Sequence, residues 1–319
     1  MAESEFDLIR QFFADATPAR DDVSLGIGDD CALLQVPVGK ELAVSMDTLV
    51  EGRHFVAGAD PEALGHKALA VNLSDLAAMG AEPAWVTLAL TLPNADTGWL
   101  AAFMRGFSRL AAEYDVDLVG GDTTRGPLSI TVQVHGFVAP GSALRRAGAR
   151  PGDRLLVSGT LGDASLALAQ LQSGSSAPDP ALQQQLDRPA PRVTLGRLLA
   201  GRASAAIDIS DGLIGDLRHI CAASGVGARI DLARLPLSDA VRQACDNGDW
   251  RHPLAGGDDY ELLFSVAKAK VADLLADCRK AGHAIQEIGV LVDEQGIVLV
   301  YPDGHESLET PDGFDHFRS

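Results

Sequence analysis

The sequence predicts a two-domain protein of mixed α+β and α/β type, with an N-terminal α+β domain over residues 1–140 and a C-terminal α/β domain over 141–319. Three observations lead there. The chain has 319 residues, enough for two separate hydrophobic cores. Its segments run strand–helix–strand–helix–strand–strand to about residue 138 and begin again with a strand at 154–158. Between the halves, Ala139-Pro-Gly-Ser142 and Gly148-Ala-Arg-Pro-Gly-Asp153 carry the turn residues of a hinge.

Each element has its own signal. A helix is expected near 4–14, and a strand over 41–46 runs into Asp47. Pro61-Glu62 suits a helix start, and Gly80 stops that helix after Met79. Trp85 to Leu92 alternates in strand formers, whereas Leu100, Phe103, Met104, Phe107, Leu110 and Ala111 recur at helical spacing. Val116–Val119 reads as a short strand ending at Gly120-Gly121-Asp122, and Ile130 to Val138 as a period-two strand. The second half continues with a strand at 154–158, a helix at 161–172, a flexible surface loop at 173–180 and a helix at 192–202. Strands follow at 205–209, 261–266, 285–290 and 297–301, with helices between. No short-period repeat is present, although Gly-Asp-Asp occurs once in each half, at 28–30 and 257–259.

Composition excludes several function classes. A formal charge of −18 argues against nucleic acid or an anionic membrane surface as partner, because phosphate backbones need a basic footprint. The four cysteines, Cys31, Cys221, Cys245 and Cys278, have neither C-x-x-C nor zinc spacing and read as free thiols in a reducing compartment. The opening residues are acidic where a signal peptide is basic, and no apolar run has membrane-spanning length, so the expected location is cytoplasmic.

Chemistry concentrates in five short segments that hold seven acidic residues: Gly26-Ile-Gly-Asp-Asp30, Ser45-Met-Asp-Thr48, Asn72-Leu-Ser-Asp75, Gly120-Gly-Asp-Thr-Thr124 and Asp208-Ile-Ser-Asp-Gly212. Carboxylates gathered in one cleft repel unless cations hold them, and all-oxygen ligands with phosphate as co-ligand suit Mg²⁺. Any one segment alone is more often a turn than a ligand. Their placement directly after strands at 45–48, 120–124 and 208–212, where ligands bind in α/β folds, makes joint metal binding the stronger reading. Gly26, Gly28, Gly120 and Gly121 would let backbone N–H groups approach phosphate, or simply make tight turns. There is no P-loop and no dinucleotide fingerprint. Arg145-Arg146 would fork onto a nucleotide phosphate or lie in solvent, and His54 follows the Asp47 segment closely enough to touch substrate.

These segments resemble the thiamine-monophosphate kinase family, within the superfamily of aminoimidazole ribonucleotide synthetase and selenophosphate synthetase. The resemblance rests on residues 25–32, 47–55, 67–81, 120–126, 207–213 and 256–262, with Gly313-Phe-Asp-His-Phe317 at the end. It implies an N-terminal α+β domain of the aminoimidazole ribonucleotide synthetase type, carrying the metal and ATP sites and a dimerising sheet, and a C-terminal domain that completes the site. The implied reaction is transfer of the ATP γ-phosphoryl group to thiamine monophosphate, giving thiamine diphosphate in the last step of its biosynthesis. By matching motif, Asp30, Asp47, Asp75, Asp122, Asp208 and Asp211 would hold several Mg²⁺ ions, with Ser45 and the backbone of Met46 completing the shell. Gly121, Asp122, Arg146 and Ser210 would contact ATP. His54, Asp258 and Phe314 would contact thiamine monophosphate.

The family usually has Thr where Met46 stands, Glu where Asp258 stands and often Tyr where Phe314 stands. The acceptor phosphate is already ionised at neutral pH, so no general base is assigned. The resemblance implies a homodimer, with no nucleic-acid or membrane partner. Rival readings are another ATP-dependent member of the superfamily, or a non-catalytic nucleotide-binding or maturation partner on the same fold.

Overall fold

The computed structural model describes residues 5–173, 179–308, 310 and 311. The chain divides into two compact units, one of residues 1–76 with 81–141 and the other of residues 77–80 with 142–319.

In the first unit, α1 (Glu5–Phe12) precedes a small hairpin, β1 (Val23–Leu25) and β2 (Leu33–Leu34). Then come β3 (Glu41–Val50), α2 (Pro61–Ala78), β4 (Glu82–Leu92), α3 (Thr97–Glu113), β5 (Asp117–Arg125) and β6 (Ser129–Val138). The four longer strands form one sheet in the order β3-β6-β4-β5, with β4 and β5 parallel and the other neighbours antiparallel. The helical stripe expected from Leu100 to Ala111 is the buried face of α3. Its first turn is closed by Asp96, whose side chain accepts the Trp99 N–H at 3.0 Å. Helices α2 and α3 touch backbone to backbone through two glycines. A Cβ on Gly65 would lie 1.9 Å from the Phe103 carbonyl oxygen, and one on Gly106 1.8 Å from that of Glu62. The β1–β2 hairpin is pinned to the sheet where Val23, Ala32 and Leu34 pack on Ala84, Trp85, Val119 and Phe137.

Two strands run further than expected. β3 does not stop at Asp47 but pairs with β6 residue for residue from Glu41 to Val50. β5 does not end at Gly120: the register shifts where Val86 faces Leu118 and Thr87 faces Gly120, and pairing resumes through Arg125. The double glycine that reads as a turn is a close-approach site. A Cβ on Gly121 would stand 1.9 Å from the Leu88 carbonyl oxygen of the neighbouring strand.

The second unit holds β7 (Arg154–Ser158), α4 (Asp163–Gln172), α5 (Pro180–Asp187), α6 (Val193–Leu199), β8 (Ala205–Ile209), α7 (Leu213–Ser224) and β9 (Gly227–Asp231). It continues with α8 (Asp239–Asp246), α9 (Arg251–Ala255), β10 (Glu261–Val266), α10 (Val271–Lys280), β11 (Ile285–Val292), β12 (Ile297–Val300) and β13 (Glu306–Ser307). Its seven strands are ordered β13-β12-β9-β11-β7-β10-β8, antiparallel throughout except for β9 with β12. Leu155, Val157, Ile207, Ile209, Ile230 and Leu263 form its core with the buried side of α7. The loop expected at 173–180 ends in α5, where the Asp179 side chain accepts the Ala181 N–H at 2.8 Å and Pro180 begins the helix. Residues 174–178 of that loop lie outside the described residues. Among the described residues no helix is long and apolar enough to cross a membrane.

Candidate active site

In the first unit the sheet and α2 bring three of the expected ligands together. Side chains alternate along a strand, so Ser45, Asp47 and the buried Leu49 share the face toward α2. Ser45 Oγ donates to Asp75 Oδ2 at 2.5 Å. The fully buried Asn72, one turn before Asp75 on α2, accepts the Asp47 backbone N–H at 3.0 Å on Oδ1. Its Nδ2 donates to the Ala68 carbonyl at 2.9 Å. Met46 points its side chain to the other face, 60% exposed, so only its backbone is available beside Asp47.

Asp122 stands apart from this group. The ladder runs Asp47–Val132–Leu88–Gly121 across all four strands, three strand spacings or about 14 Å. The adjacent row, Thr48–Thr131–Ala89–Asp122, sets Asp122 on the opposite face of the sheet from Asp47. Asp30 lies exposed in the loop of the β1–β2 hairpin, its N–H bonded to Asp29 Oδ1 at 2.8 Å. His54 sits in the turn after β3, where its Nδ1 accepts the Val50 N–H at 2.9 Å. That bond leaves the ring proton of the neutral imidazole on Nε2.

In the second unit β8 delivers Asp208 into a nearly closed site, 5% exposed, and the chain turns at Ser210-Asp211-Gly212 into α7. Asp216, in the first turn of α7 and 3% exposed, accepts both the Ser210 and Asp211 N–H groups at 3.1 Å. Burial first, then the negative charges of Asp208 and Asp211, push Asp216 up to about 8. The turn before β10 is knitted onto this loop. Asp258 N–H donates to the Ser210 carbonyl at 2.9 Å, and Tyr260 N–H to that of Ile209 at 2.8 Å. Asp258 is thereby set beside Ser210 and Asp211. Its neighbour Asp259 accepts the Gly162 N–H with both oxygens, at 2.9 and 3.1 Å. Burial holds Asp259 well above the usual carboxylate range, and Glu261, Asp163 and Asp258 add to the effect.

Arg146 is exposed on the segment beside β8. The Ser224 hydroxyl donates to its carbonyl at 3.1 Å, and the Ala206 N–H bonds the carbonyl of Arg145 at 2.8 Å. Phe314 lies outside the described residues.

The donors are hard oxygens, the class that suits Mg²⁺. Among the described residues no group of three or more His, Cys, Asp or Glu side chains forms a ready metal cage. Sequence reading passed over Asp216 and Tyr260. An acidic residue in the first turn after Asp-Gly was the available signal for Asp216; Tyr260 had none, because its hydrogen bond reports only the folded turn.

Family models place the chain. Residues 28–138 match the AIR synthase related protein, N-terminal domain, and residues 150–302 the AIR synthase related protein, C-terminal domain. The chain is 49% identical to the thiamine-monophosphate kinase of Salmonella typhimurium over the full length of both, and 43% identical to that of Haemophilus influenzae over 100% of this chain and 99% of the relative. Among solved structures, thiamine-monophosphate kinase from Stenotrophomonas maltophilia K279a superposes with a TM-score of 0.87 at 47% identity, covering 96% of this chain and 99% of that one. AaThiL complexed with AMPPCP and TMP gives 0.77 at 33% identity over 88% and 89%. The chain therefore has the two-domain AIR synthase architecture of mixed sheets and helices. Within it, the chain belongs to the thiamine-monophosphate kinase family and is a phosphotransferase whose acceptor is a phosphate group.

Proposed function

We propose that this chain transfers the γ-phosphoryl group of ATP directly, in line, to the phosphate of thiamine monophosphate, assisted by several Mg²⁺ ions held on Asp30, Asp47, Asp75, Asp122, Asp208 and Asp211. The observation that carries the reading is the full-length relationship at 49% identity, which spans every one of these segments. Bound there, Mg²⁺ would neutralise the facing phosphates and favour alignment of donor and acceptor oxygens.

The protein's own part is positioning. The Ser45 hydroxyl aims Asp75, and Asn72 fixes the backbone at Asp47. Gly121 keeps β5 tight against β4, which fixes where Asp122 emerges. In the second unit Asp216 organises the main chain of Ser210 and Asp211. Ser210 and Arg146 then serve ATP, while Asp258 and the Nε2–H of His54 serve the thiamine substrate. The nucleophile is a phosphate oxygen ionised at neutral pH, so no side chain has to take a proton.

The same reading makes the protein a cytoplasmic homodimer. Leu42, Val44, Met46 and Val50 alternate along one face of β3 and are 43%, 50%, 60% and 38% exposed, an exposed apolar strip. Asp122 lies on that same face.

Two experiments test the proposal. ADP release should require both thiamine monophosphate and Mg²⁺, and Asp122→Asn should abolish it without changing the circular dichroism spectrum. ATP turnover indifferent to thiamine monophosphate would refute the assignment. Val44→Lys should convert dimer to monomer in light scattering and lose activity with it; a fully active monomer would sink the dimer reading.

A further inference from the structure

Two residues in the turn before β10 hold a backbone conformation that side chains resist: Asp258 at φ +71° and Tyr260 at φ +49°. A bulky residue at positive φ is uncommon and costs roughly 1–2 kcal/mol. The segment already contains Gly256 and Gly257, residues that take such angles freely, yet the aromatic occupies the second strained position.

The surroundings impose the strain. The N–H groups of Asp258 and Tyr260 are fixed by the Ser210 and Ile209 carbonyls at 2.9 and 2.8 Å. A Cβ on Gly257 would lie 2.4 Å from the Ser210 carbonyl oxygen, so the turn is pressed against that loop. Strain of this kind persists where neighbouring structure over-determines it, and it concentrates at functional sites. Within the turn it sets a side-chain contact: Tyr260 Oη donates to Asp258 Oδ1 at 3.1 Å. The ring itself is buried, 7% exposed, and packing alone would be equally served by phenylalanine. The hydroxyl is the part that packing does not explain.

We infer that Tyr260 is a positioning residue: its hydroxyl, held by the strained 257–260 turn, orients the Asp258 carboxylate toward the thiamine moiety. The inference rests on the reading that Asp258 contacts the substrate. Tyr260 itself touches neither reactant. Because Asp258 and Ser210 share a main-chain bond, the acceptor-side carboxylate is also anchored to the loop assigned to ATP. Removing the hydroxyl leaves that main-chain bond in place, so it should disturb the acceptor and spare the nucleotide.

The test is steady-state kinetics on the full-length protein for wild type, Tyr260→Phe, Asp258→Ala and the double variant, with both substrates varied and thermal midpoints recorded. Loss of one hydrogen bond to a charged acceptor predicts about a tenfold rise in KM for thiamine monophosphate in Tyr260→Phe. KM for ATP and kcat should stay within about threefold. In the Asp258→Ala background, Tyr260→Phe should add nothing, because the group it orients is gone.

The inference is overturned by an unchanged KM for thiamine monophosphate, by full additivity in the double variant, or by an equal rise in both KM values. A Tyr260→Phe protein that fails to fold also overturns it, by making the hydroxyl a requirement of structure. If wild type itself does not turn over thiamine monophosphate, the functional assignment falls instead; if wild type is active and Tyr260→Phe keeps its KM, only this inference falls.

Discussion

Asn72→Ala removes two bonds from the junction of β3 and α2, and the structure sets the size of the effect. Asn72 is 1% exposed, and its Oδ1 is the acceptor for the Asp47 N–H. With the acceptor gone, that half-buried N–H loses its partner, at about 1–3 kcal/mol. The second bond, from Nδ2 to the Ala68 carbonyl, adds about 1 kcal/mol. The total is about 2–4 kcal/mol, or roughly 30- to 1,000-fold in the ratio of folded to unfolded protein. Urea unfolding without Mg²⁺ measures this part. Freed from Asn72, β3 also holds Asp47 less firmly beside Asp75, so the Mg²⁺ concentration for half-maximal phosphoryl transfer should rise several-fold. A variant within 0.5 kcal/mol of wild type (about the scatter of surface substitutions) with the same Mg²⁺ dependence would refute the claim that Asn72 builds the metal site.

Two further predictions concern the first unit. Gly106→Ala puts a methyl group where the Glu62 carbonyl oxygen already lies, 1.8 Å from the new Cβ, so α2 and α3 must separate. We expect a loss of about 3 kcal/mol or more in denaturant unfolding, and near-neutral behaviour would show that the close helix approach is not required. Asp22 accepts both forks of Arg20, at 3.0 and 2.8 Å, and the Trp85 indole N–H at 2.8 Å. The Arg20 hydrogen bond is the main reason its pKa is lowered. A carboxylate with a lowered folded pKa contributes stability that is whole above its unfolded value, near 4, and is lost as pH falls through the folded value. Asp22→Asn should therefore lower stability at pH 7 and flatten the acid limb of the stability curve below about pH 4. An acid limb of unchanged slope would count against the assignment.

How much of this was legible in the sequence depends on the range of the interaction that decides each feature. The stripe from Leu100 to Ala111 and the runs at 154–158, 205–209 and 261–266 are local patterns, and the structure places elements on each of them. Strand ends were harder where glycine and aspartate looked like turns. Gly120-Gly121-Asp122 continues β5 because a partner strand, thirty-three residues earlier in the chain, lies close enough to demand a residue without a Cβ at 121. No window centred on residue 120 contains that partner. Strand order is equally remote: β6 inserts between β3 and β4, and only the register shows that Asp47 and Asp122 occupy opposite faces.

The candidate site divides along the same line. Residue types at short spacing nominated the candidate ligands, since Ser45 with Asp47 and Asp208 with Asp211 offer hard oxygen donors. What orients them is distant in sequence or hidden in the backbone. Asn72 reaches Asp47 across twenty-five residues, and Tyr260 reaches Asp258 only because both adopt positive φ. Asp216 is the instructive case. On a helical wheel it is one more acid at the start of a helix, a favourable and unremarked position. Folded, it is a buried carboxyl whose Oδ2 accepts the two N–H groups of the loop bearing Asp211, while Asp208 and Asp211 crowd it with like charge. Such an arrangement is costly for a loop that only has to turn, and it makes sense where the positions of Ser210 and Asp211 must be fixed before a charged ligand arrives.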